Sequence, residues 1–272
     1  MPEPARIYTP EYYERLKALE GRHWWTLGMN DIMSGLLGGR LAGGAPVACF
    51  LDVGCGSGIG LAWAARTWPE SRRVGVDVSP HALEHCAGLG AELHLIDGSH
   101  LPLADGAVDL AICVDVLQHV ENEAPLLAEV HRVLRPGGWL YVRTNSRGLG
   151  PAPEGSKLFT RTALLERLES AGFSVALCSP VNCVGSLVAT LRSRSGAPAE
   201  ARHHHDDQQD AAHGSFEGGG YGGGLTLQPE SSTSLASRSK RAMLALEGRL
   251  LRLGLRLPVG HSLVALARKP PR

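Results

Sequence analysis

The stretch Leu51-Asp52-Val53-Gly54-Cys55-Gly56-Ser57-Gly58 joins a short apolar segment to a run of alternating glycines. The apolar part predicts a buried β-strand over Cys49–Val53, and the pattern that follows predicts a helix over Ile59–Trp68. Glycine lets the chain turn tightly and lets a ligand approach the backbone without a Cβ in the way. A helix that begins at such a turn presents N–H groups that favour a negatively charged ligand group. The stretch therefore predicts a ligand-binding strand-to-helix turn.

Strand-like and helix-like segments alternate on the carboxyl side of this turn. Helices are predicted to begin at Ser79-Pro80, with a hydroxyl N-cap, and to cover Leu126–Leu134 and Thr160–Ala171. Further strands are predicted over 73–78, 92–96, 108–114, 139–143, 173–178 and 262–267. This alternation predicts an α/β fold with a mostly parallel sheet and helices on both faces. In such a fold, ligands bind at the carboxyl ends of the strands, where the strand order reverses.

The chain divides into an α/β domain and three segments outside it. The domain is predicted over 46–192 plus 258–272, preceded by an N-terminal helical cap over 1–45. Residues 193–234 are rich in His, Gly and Ser, which predicts a disordered loop because this composition buries little apolar surface. Residues 235–257 predict an amphipathic helix with one apolar stripe formed by Leu246, Leu250, Leu253 and Leu257.

Composition excludes several classes of protein. The chain has 272 residues with 27 Lys+Arg and 27 Asp+Glu, so a formal net charge of zero argues against a general nucleic-acid binder. No apolar run approaches the roughly 18 residues of a membrane-spanning helix, and the first residues lack a signal-peptide pattern, which predicts a cytoplasmic protein. The six cysteines form no CxxC pair, and the run His203-His204-His205 lacks a preset geometry. We therefore predict no metal site.

Acidic residues follow the second and third predicted strands. Asp77 lies about 20 residues beyond the glycines, the spacing at which a carboxylate accepts the ribose hydroxyls of an adenosine-type ligand. The alternative is that Asp77 only caps the helix that begins near Ser79. Asp97-Gly98 provides an acceptor for an exocyclic adenine amine, or else an ordinary acidic turn. A dinucleotide fingerprint would require Gly or Ala where this chain has Ile59.

These motifs, with Pro136-Gly137-Gly138 before the fifth strand, resemble the class I S-adenosylmethionine-dependent methyltransferases of the type 11-like group, over about Cys49–Arg143. The resemblance implies a Rossmann-like seven-stranded sheet with its last strand antiparallel, and S-adenosylmethionine as cofactor. It implies that the methionine part lies over Asp52 and the glycines, the ribose at Asp77, and the adenine at Asp97 and its neighbour. The cofactor-binding residues so predicted are Asp52, Gly54, Gly56, Gly58, Asp77, Val78, Asp97, Gly98 and Asp115.

A narrower resemblance links the chain to one bacterial branch of this family, which has an N-terminal His-Trp-Trp signature and is often associated with glycan or secondary-metabolite assembly. The stretches that carry it are Glu20–Trp25, Asp115–Val120 and Leu257–Leu263. Where the branch has Phe and then Arg-Arg after the tryptophans, this chain has Thr26 and then Met29-Asn30. Gln118 replaces a Glu. These departures remove charge or bulk near the expected acceptor side, so no acceptor is carried over from the branch.

Two groups of residues are candidates for roles next to the cofactor, one as a general base and one as a lid. His119 follows the fourth strand at the mouth of the predicted cleft, where an imidazole suits a general base that takes a proton from the acceptor. The alternative is a histidine that anchors the next helix. His23, Trp24 and Trp25 form either an aromatic lid over the sulfonium or part of the core.

The leading interpretation is methyl transfer to a small-molecule, glycan or secondary-metabolite acceptor, with O-, N- and C-methylation left open. A nicotinamide-dependent oxidoreductase is a second hypothesis, which Ile59 disfavours. A non-catalytic S-adenosylmethionine-binding module is a third hypothesis. The predicted partner is a small-molecule acceptor, without nucleic acid. A homodimer is a further hypothesis, as is a peripheral membrane contact through residues 240–257.

Overall fold

The computed structural model describes residues 9–41, 46–148, 157–187 and 234–271. Its centre is a seven-stranded sheet. The strands are β1 (Cys49–Val53), β2 (Arg72–Asp77), β3 (Glu92–Leu95), β4 (Val108–Val114), β5 (Leu134–Asn145), β6 (Ser174–Val181) and β7 (Ser262–Arg268). Each predicted strand is present, with ends that differ by a few residues.

The strand order is β3-β2-β1-β4-β5-β7-β6. The first five strands pair in parallel, whereas β7 is antiparallel to both β5 and β6. The prediction of a class I methyltransferase sheet with an antiparallel last strand is therefore confirmed. The order reverses between β1 and β4, which places the expected ligand site at the carboxyl ends of these two strands.

Helices cover both faces of the sheet. They are α1 (Pro10–Glu20), α2 (Trp24–Leu41), α3 (Ile59–Thr67), α4 (Pro80–Cys86), α5 (Ala124–Val133), α6 (Arg161–Ser170) and α7 (Leu235–Arg252), with a 3₁₀ turn at Leu117–His119. One buried cluster lies under α5 and α6, and a second lies under α2, α3 and α7. Helix α6 begins at an N-cap Thr160, whose hydroxyl accepts a hydrogen bond from the Ala163 N–H at 3.1 Å.

The N-terminal tryptophans belong to the second buried cluster. Trp24 and Trp25 begin α2 and are 8% and 4% exposed, and His23 is equally buried. None of the three lines the cavity described below. Of the two predicted alternatives, the structure therefore favours core packing over an aromatic lid.

Helix α7 differs from its prediction in two respects. It ends at Arg252 rather than at Leu257, because Gly254 adopts a φ of +81° and the Leu255 N–H donates to the Leu250 carbonyl at 3.1 Å. This Schellman-type end is one that glycine favours. The predicted leucine stripe is not the face that the domain covers, since Leu246 and Leu253 are exposed while Leu244 and Leu251 are buried.

Close packing of α7 on α2 explains which face is buried. A Cβ added at Gly28 of α2 would lie 2.5 Å from the Cδ1 atom of Leu244, so the absence of a side chain there lets the two helices approach. The predicted loop at 193–234 lies outside the described residues up to position 233, and Ser234 is the N-cap of α7.

The strand β5 is longer than predicted. Leu134–Asn145 forms one strand that runs through Pro136-Gly137-Gly138, with a register shift against β4 between Val108 and Leu110. Pro136-Gly137-Gly138 follow the end of α5, as predicted. They belong to the irregular first part of β5 and do not form a separate loop. Gly137 has a φ of +79°, which is the geometry that glycine tolerates.

Candidate active site

A cavity of about 560 Å³ opens at the carboxyl ends of β1, β2 and β4. Its volume falls within the range of small-molecule sites, about 300–1,000 Å³. The predicted site residues that line it are Asp52, Gly54, Gly56, Asp77, Val78, Asp97, Gly98, Asp115 and His119. Of the predicted set, Gly58 alone does not line the cavity. It is the N-cap of α3 with a φ of +83°, and an added Cβ would contact Leu89 rather than a ligand.

The glycine turn after β1 is packed closely against protein side chains. Gly54 has a φ of +72°, and a Cβ there would lie 2.3 Å from the Cγ2 atom of Val116. A Cβ at Gly60 would lie 2.2 Å from the Oδ2 atom of Asp52. Asp52 itself is 3% exposed and lines the cavity. The turn thus keeps a buried carboxylate against the backbone at the start of α3.

Asp77 connects the glycine turn to the next helix. Its Oδ2 atom accepts a hydrogen bond from the Gly56 N–H, and its Oδ1 atom accepts one from the Ser79 N–H, both at 2.9 Å. Burial raises the pKa of this carboxyl, and the backbone N–H groups oppose the shift. The side-chain hydroxyl of Ser79 makes no capping bond, so the predicted hydroxyl cap is wrong. Asp77 accepts a hydrogen bond from the N–H of Ser79, the N-cap residue itself. Because Asp77 also lines the cavity, capping does not exclude a ligand contact.

Asp97 lies at the rim of the cavity in an acidic turn. Its Oδ1 atom accepts hydrogen bonds from the Ser99 N–H at 2.9 Å and the Ser99 hydroxyl at 2.8 Å. These bonds lower the pKa of the Asp97 carboxyl, which keeps it ionised. Val78 lines the same part of the cavity and is 50% exposed, so it offers an apolar surface beside the carboxylate.

An ion pair that the sequence did not reveal lies on the opposite wall. The guanidinium of Arg143 on β5 contacts both carboxylate oxygens of Asp115, with an Nε–Oδ1 distance of 3.1 Å. Asp115 has a φ of +57°, uncommon for a residue with a side chain, and its N–H donates to the Arg143 carbonyl at 2.9 Å. Arg143 is 7% exposed. A buried cation and its counter-ion thus form part of the cavity wall.

Tyr141 is a second lining residue that sequence reasoning missed. Its side chain is 1% exposed, and its hydroxyl has no hydrogen-bond partner among the described residues. Burial raises the pKa of this phenol, so it is protonated at neutral pH. Since alternate residues of a strand share a face, the position of Tyr141 two residues before Arg143 was the available signal.

His119 ends the 3₁₀ turn that follows β4. Its backbone N–H donates to the Val116 carbonyl at 2.8 Å, and the residue is exposed where it lines the cavity. The surrounding protein lowers the pKa of the imidazole by desolvation, and the charge of Asp115 opposes this shift. The ring is therefore neutral at pH 7, as a proton acceptor must be.

Helix α2 supplies the wall where the chain departs from the bacterial branch that it resembles. Thr26, Met29 and Asn30 all line the cavity. Gln118, the other departure, does not line it. Its Oε1 atom accepts a hydrogen bond from the Thr144 hydroxyl at 2.8 Å in the interior.

Two classes of feature are absent from the described part of the chain. No group of three or more His, Cys, Asp or Glu side chains there is arranged to hold a metal ion, and His203-His204-His205 lies outside those residues. No helix among the same residues is long and apolar enough to cross a membrane. The six cysteines are free thiols.

Comparisons with known proteins agree with this geometry. Residues 51–142 match the family model described as a methyltransferase domain. The chain is 32% identical over 137 residues to a probable S-adenosylmethionine-dependent methyltransferase of Mycolicibacterium smegmatis, covering 46% of this chain and 51% of that protein. It is 37% identical over 120 residues to a malonyl-[acyl-carrier protein] O-methyltransferase of Dechloromonas aromatica, covering 42% of each. The chain spans about half, or less, of these relatives.

A solved structure shares the fold. Phosphoethanolamine N-methyltransferase 2 of Haemonchus contortus, in complex with S-adenosyl-L-methionine, superimposes with a TM-score of 0.58 at 17% identity, covering 98% of this chain and 59% of that chain. The family match supports a methyltransferase domain over residues 51–142, and the superposition shows that the fold is shared. The His-Trp-Trp signature of the narrower branch stays a prediction.

Proposed function

We propose that this chain transfers a methyl group from S-adenosylmethionine to a small-molecule acceptor, because its residues 51–142 match a methyltransferase domain. The observation that carries the proposal is the cavity at the reversal of strand order, where the glycine turn and Asp77 lie together. The domain proposed for this reaction covers 46–192 plus 258–272, with 1–45 as a helical cap. A cytoplasmic location and a homodimer remain predictions from the sequence.

The residues of the cavity fit the cofactor in shape and charge. At Gly56, which lines the cavity, an added Cβ would have no atom nearer than the Gly54 carbonyl oxygen at 3.9 Å, so this part of the turn is open to a ligand. Among the described residues, five acidic residues line the cavity, namely Asp52, Asp77, Asp97, Asp115 and Glu121, whereas Arg143 is the one lining arginine. A wall with this excess of negative charge attracts a ligand that carries a sulfonium and an ammonium group.

We propose the following division of roles within the cavity. Asp77 holds the ribose hydroxyls through the lone pairs that its two backbone hydrogen bonds leave available. Val78 and Asp97 flank the adenine, and Asp52 and the glycine turn lie beneath the methionine part. S-adenosylmethionine, when bound, supplies an activated methyl group at its sulfonium centre. Asp115, held by Arg143, is positioned for the ammonium group of the cofactor.

The acceptor side is proposed to lie between α2, β5 and the 3₁₀ turn. Tyr141 lies at the cavity with a buried hydroxyl that no described residue engages, and Asn30 offers an amide at the same cavity. His119 is proposed to take a proton from the acceptor as the methyl group is transferred. Met29 and Met33 provide apolar, adaptable surface, which favours an acceptor with an apolar portion. The methylated atom, whether O, N or C, is left open by these contacts.

The proposal is tested first by cofactor binding. Calorimetry with S-adenosylmethionine and with S-adenosylhomocysteine is expected to give micromolar dissociation constants, about −8 kcal/mol. NADH is the control for the oxidoreductase alternative, and it is expected not to bind at similar concentrations. NADH binding without S-adenosylmethionine binding would reject the proposal.

Turnover is tested second, by release of S-adenosylhomocysteine with a panel of phenols, amines and carboxylic acids. At least one class is expected to raise the release rate above that of protein without acceptor. Tight cofactor binding with no turnover on any class would favour the non-catalytic binding module.

A further inference from the structure

Helix α7 has an apolar stripe on each of two opposite sides. Leu244 and Leu251 are each 1% exposed and pack against the domain. Leu235, Leu246 and Leu253 are 79%, 56% and 77% exposed. At about 100° per residue, these three leucines lie within roughly 20° of one another and about 140–180° from the buried pair. The exposed leucines therefore form a second stripe that points away from the domain.

Positive charge surrounds this outward stripe. Arg238, Arg249 and Arg256 are exposed on the same side of α7 or in the turn that follows it. The only acidic residue from 234 to 256 is Glu247, and it is buried, where it accepts hydrogen bonds from the Asn182 N–H at 2.6 Å and the Cys183 N–H at 2.8 Å. Within residues 234–256, the outward side of α7 thus carries positive charge and no negative charge.

We propose that this outer face of α7 docks on an anionic lipid surface. The outer face is formed by Leu235, Arg238, Met243, Leu246, Arg249, Leu253, Leu255 and Arg256. From Leu235 to Leu253 it extends about 27 Å along the helix, which lets α7 lie flat with its leucines in the interfacial region. Its arginines then lie at the level of the phosphate groups.

Charge favours lipid over a second copy of the chain as the occupant. Two outer faces brought together would oppose arginine to arginine across the contact, and like charges in contact are unfavourable. An anionic lipid surface instead pairs every arginine with negative charge, and it requires no matching pattern of side chains. The proposal is independent of the methyl-transfer reaction, because vesicle binding needs neither cofactor nor acceptor.

The test is co-sedimentation of the full chain with vesicles at about 0.1 M salt. Vesicles of phosphatidylcholine with about 30% phosphatidylglycerol are compared with vesicles of phosphatidylcholine alone. The chain is expected to bind the anionic vesicles and to dissociate as salt is raised, because salt screens charges beyond roughly 10 Å at 0.1 M. Failure to bind anionic vesicles overturns the proposal.

Variants assign the binding to the outer face. The double change Leu246→Gln with Leu253→Gln is expected to weaken vesicle binding at least ten-fold, because it removes most of the buried apolar area. Arg238→Gln with Arg249→Gln is expected to weaken it about 25-fold, about five-fold for each charge. Leu95→Gln is the matched control, since Leu95 is 58% exposed on the edge strand β3. Equal weakening by the control overturns the assignment.

Folding and self-association are measured on the same samples. Thermal unfolding of every variant is expected to match that of the unaltered chain, because all the changed side chains are exposed. Sedimentation velocity tests whether a second copy of the chain occupies the outer face instead. If the unaltered chain ignores vesicles and forms a dimer that Leu246→Gln with Leu253→Gln dissociates, the face belongs to a second copy and the proposal fails.

Discussion

The Oδ2 atom of Asp77 accepts a hydrogen bond from the backbone N–H of Gly56 at 2.9 Å. This contact joins the end of β2 to the glycine turn after β1, so the two parts of the cofactor site hold each other in place. The other carboxylate oxygen accepts the Ser79 N–H, at the start of α4. The carboxylate of Asp77 thus accepts hydrogen bonds from two neighbouring strand-to-helix turns, and its ionised form accepts both bonds at the same time.

Asp77→Asn is expected to weaken binding of S-adenosylhomocysteine about 10- to 150-fold. The amide replaces one acceptor oxygen by a donor, and loss of hydrogen bonds to a charged group costs about 1.5–3 kcal/mol. Calorimetry measures the effect. Asp109→Asn is the matched control, because Asp109 also accepts two backbone N–H groups, those of Ala48 and Cys49, but does not line the cavity. It is expected to lower stability while cofactor affinity stays within about two-fold. Equal affinity for both variants would contradict the assigned role of Asp77.

Gly60→Ala is expected to destabilise the fold by about 1–3 kcal/mol and to weaken cofactor binding. Its Cβ would lie 2.2 Å from the Oδ2 atom of Asp52, so the carboxylate or the start of α3 must move. Gly38→Ala in α2 is the same change at a helical glycine with no atom within 4 Å of the added Cβ. It is expected to stabilise by about 0.5–1 kcal/mol. Urea unfolding and calorimetry compare the two, and a neutral Gly60→Ala would refute the packing described for Asp52.

Tyr141→Phe is expected to raise the free energy of unfolding by about 1 kcal/mol, or the melting temperature by roughly 2–4 °C. The change removes a buried hydroxyl that no described residue engages, and so removes a desolvation cost. Cofactor affinity should be unchanged, because the hydroxyl is buried. A loss of stability would indicate that the hydroxyl is already satisfied in the folded chain.

The sheet and the glycine turn could be predicted because their signals are local. The apolar run Cys49–Val53 is buried along its whole length, and the glycines after it adopt the positive φ angles for which glycine is suited. Because ligands bind at the carboxyl ends of parallel strands, the sequence positions of Asp77, Asp97 and His119 just after strands were enough to predict that they lie at one site.

The remaining features depend on contacts that are distant in sequence. Arg143 meets Asp115 because β5 pairs with β4, 28 residues away along the chain. Periodicity identified leucines on α7 but not which of its faces the domain covers, since that depends on the approach of Gly28 to Leu244. Gly58 fits the sequence motif, yet it serves the geometry of the turn rather than the cavity wall.

His119 lines the cavity, and desolvation lowers the pKa of its imidazole. A base accepts a proton only when it is unprotonated, so turnover should fall as the pH drops through the histidine pKa. Because that pKa lies below its usual 6.5, kcat should be near its maximum at pH 7 and half-maximal below 6.5. His119→Ala should lower kcat about 10²- to 10⁴-fold and remove this inflection, with cofactor affinity nearly unchanged.

Two further variants separate proton transfer from a structural role of His119. Asn at this position keeps a hydrogen-bonding side chain but cannot act as a base near neutral pH, so His119→Asn should match His119→Ala in rate. His131→Ala is the control, because burial also lowers the pKa of His131, while its ring packs on Phe173 and does not line the cavity. It should leave the pH profile of kcat intact. Release of S-adenosylhomocysteine from pH 5 to 9, with an acceptor found in the panel, measures all four proteins. If His119→Asn keeps the rate and the pH profile of the unaltered chain, the imidazole only holds the turn after β4, and another group must take the proton.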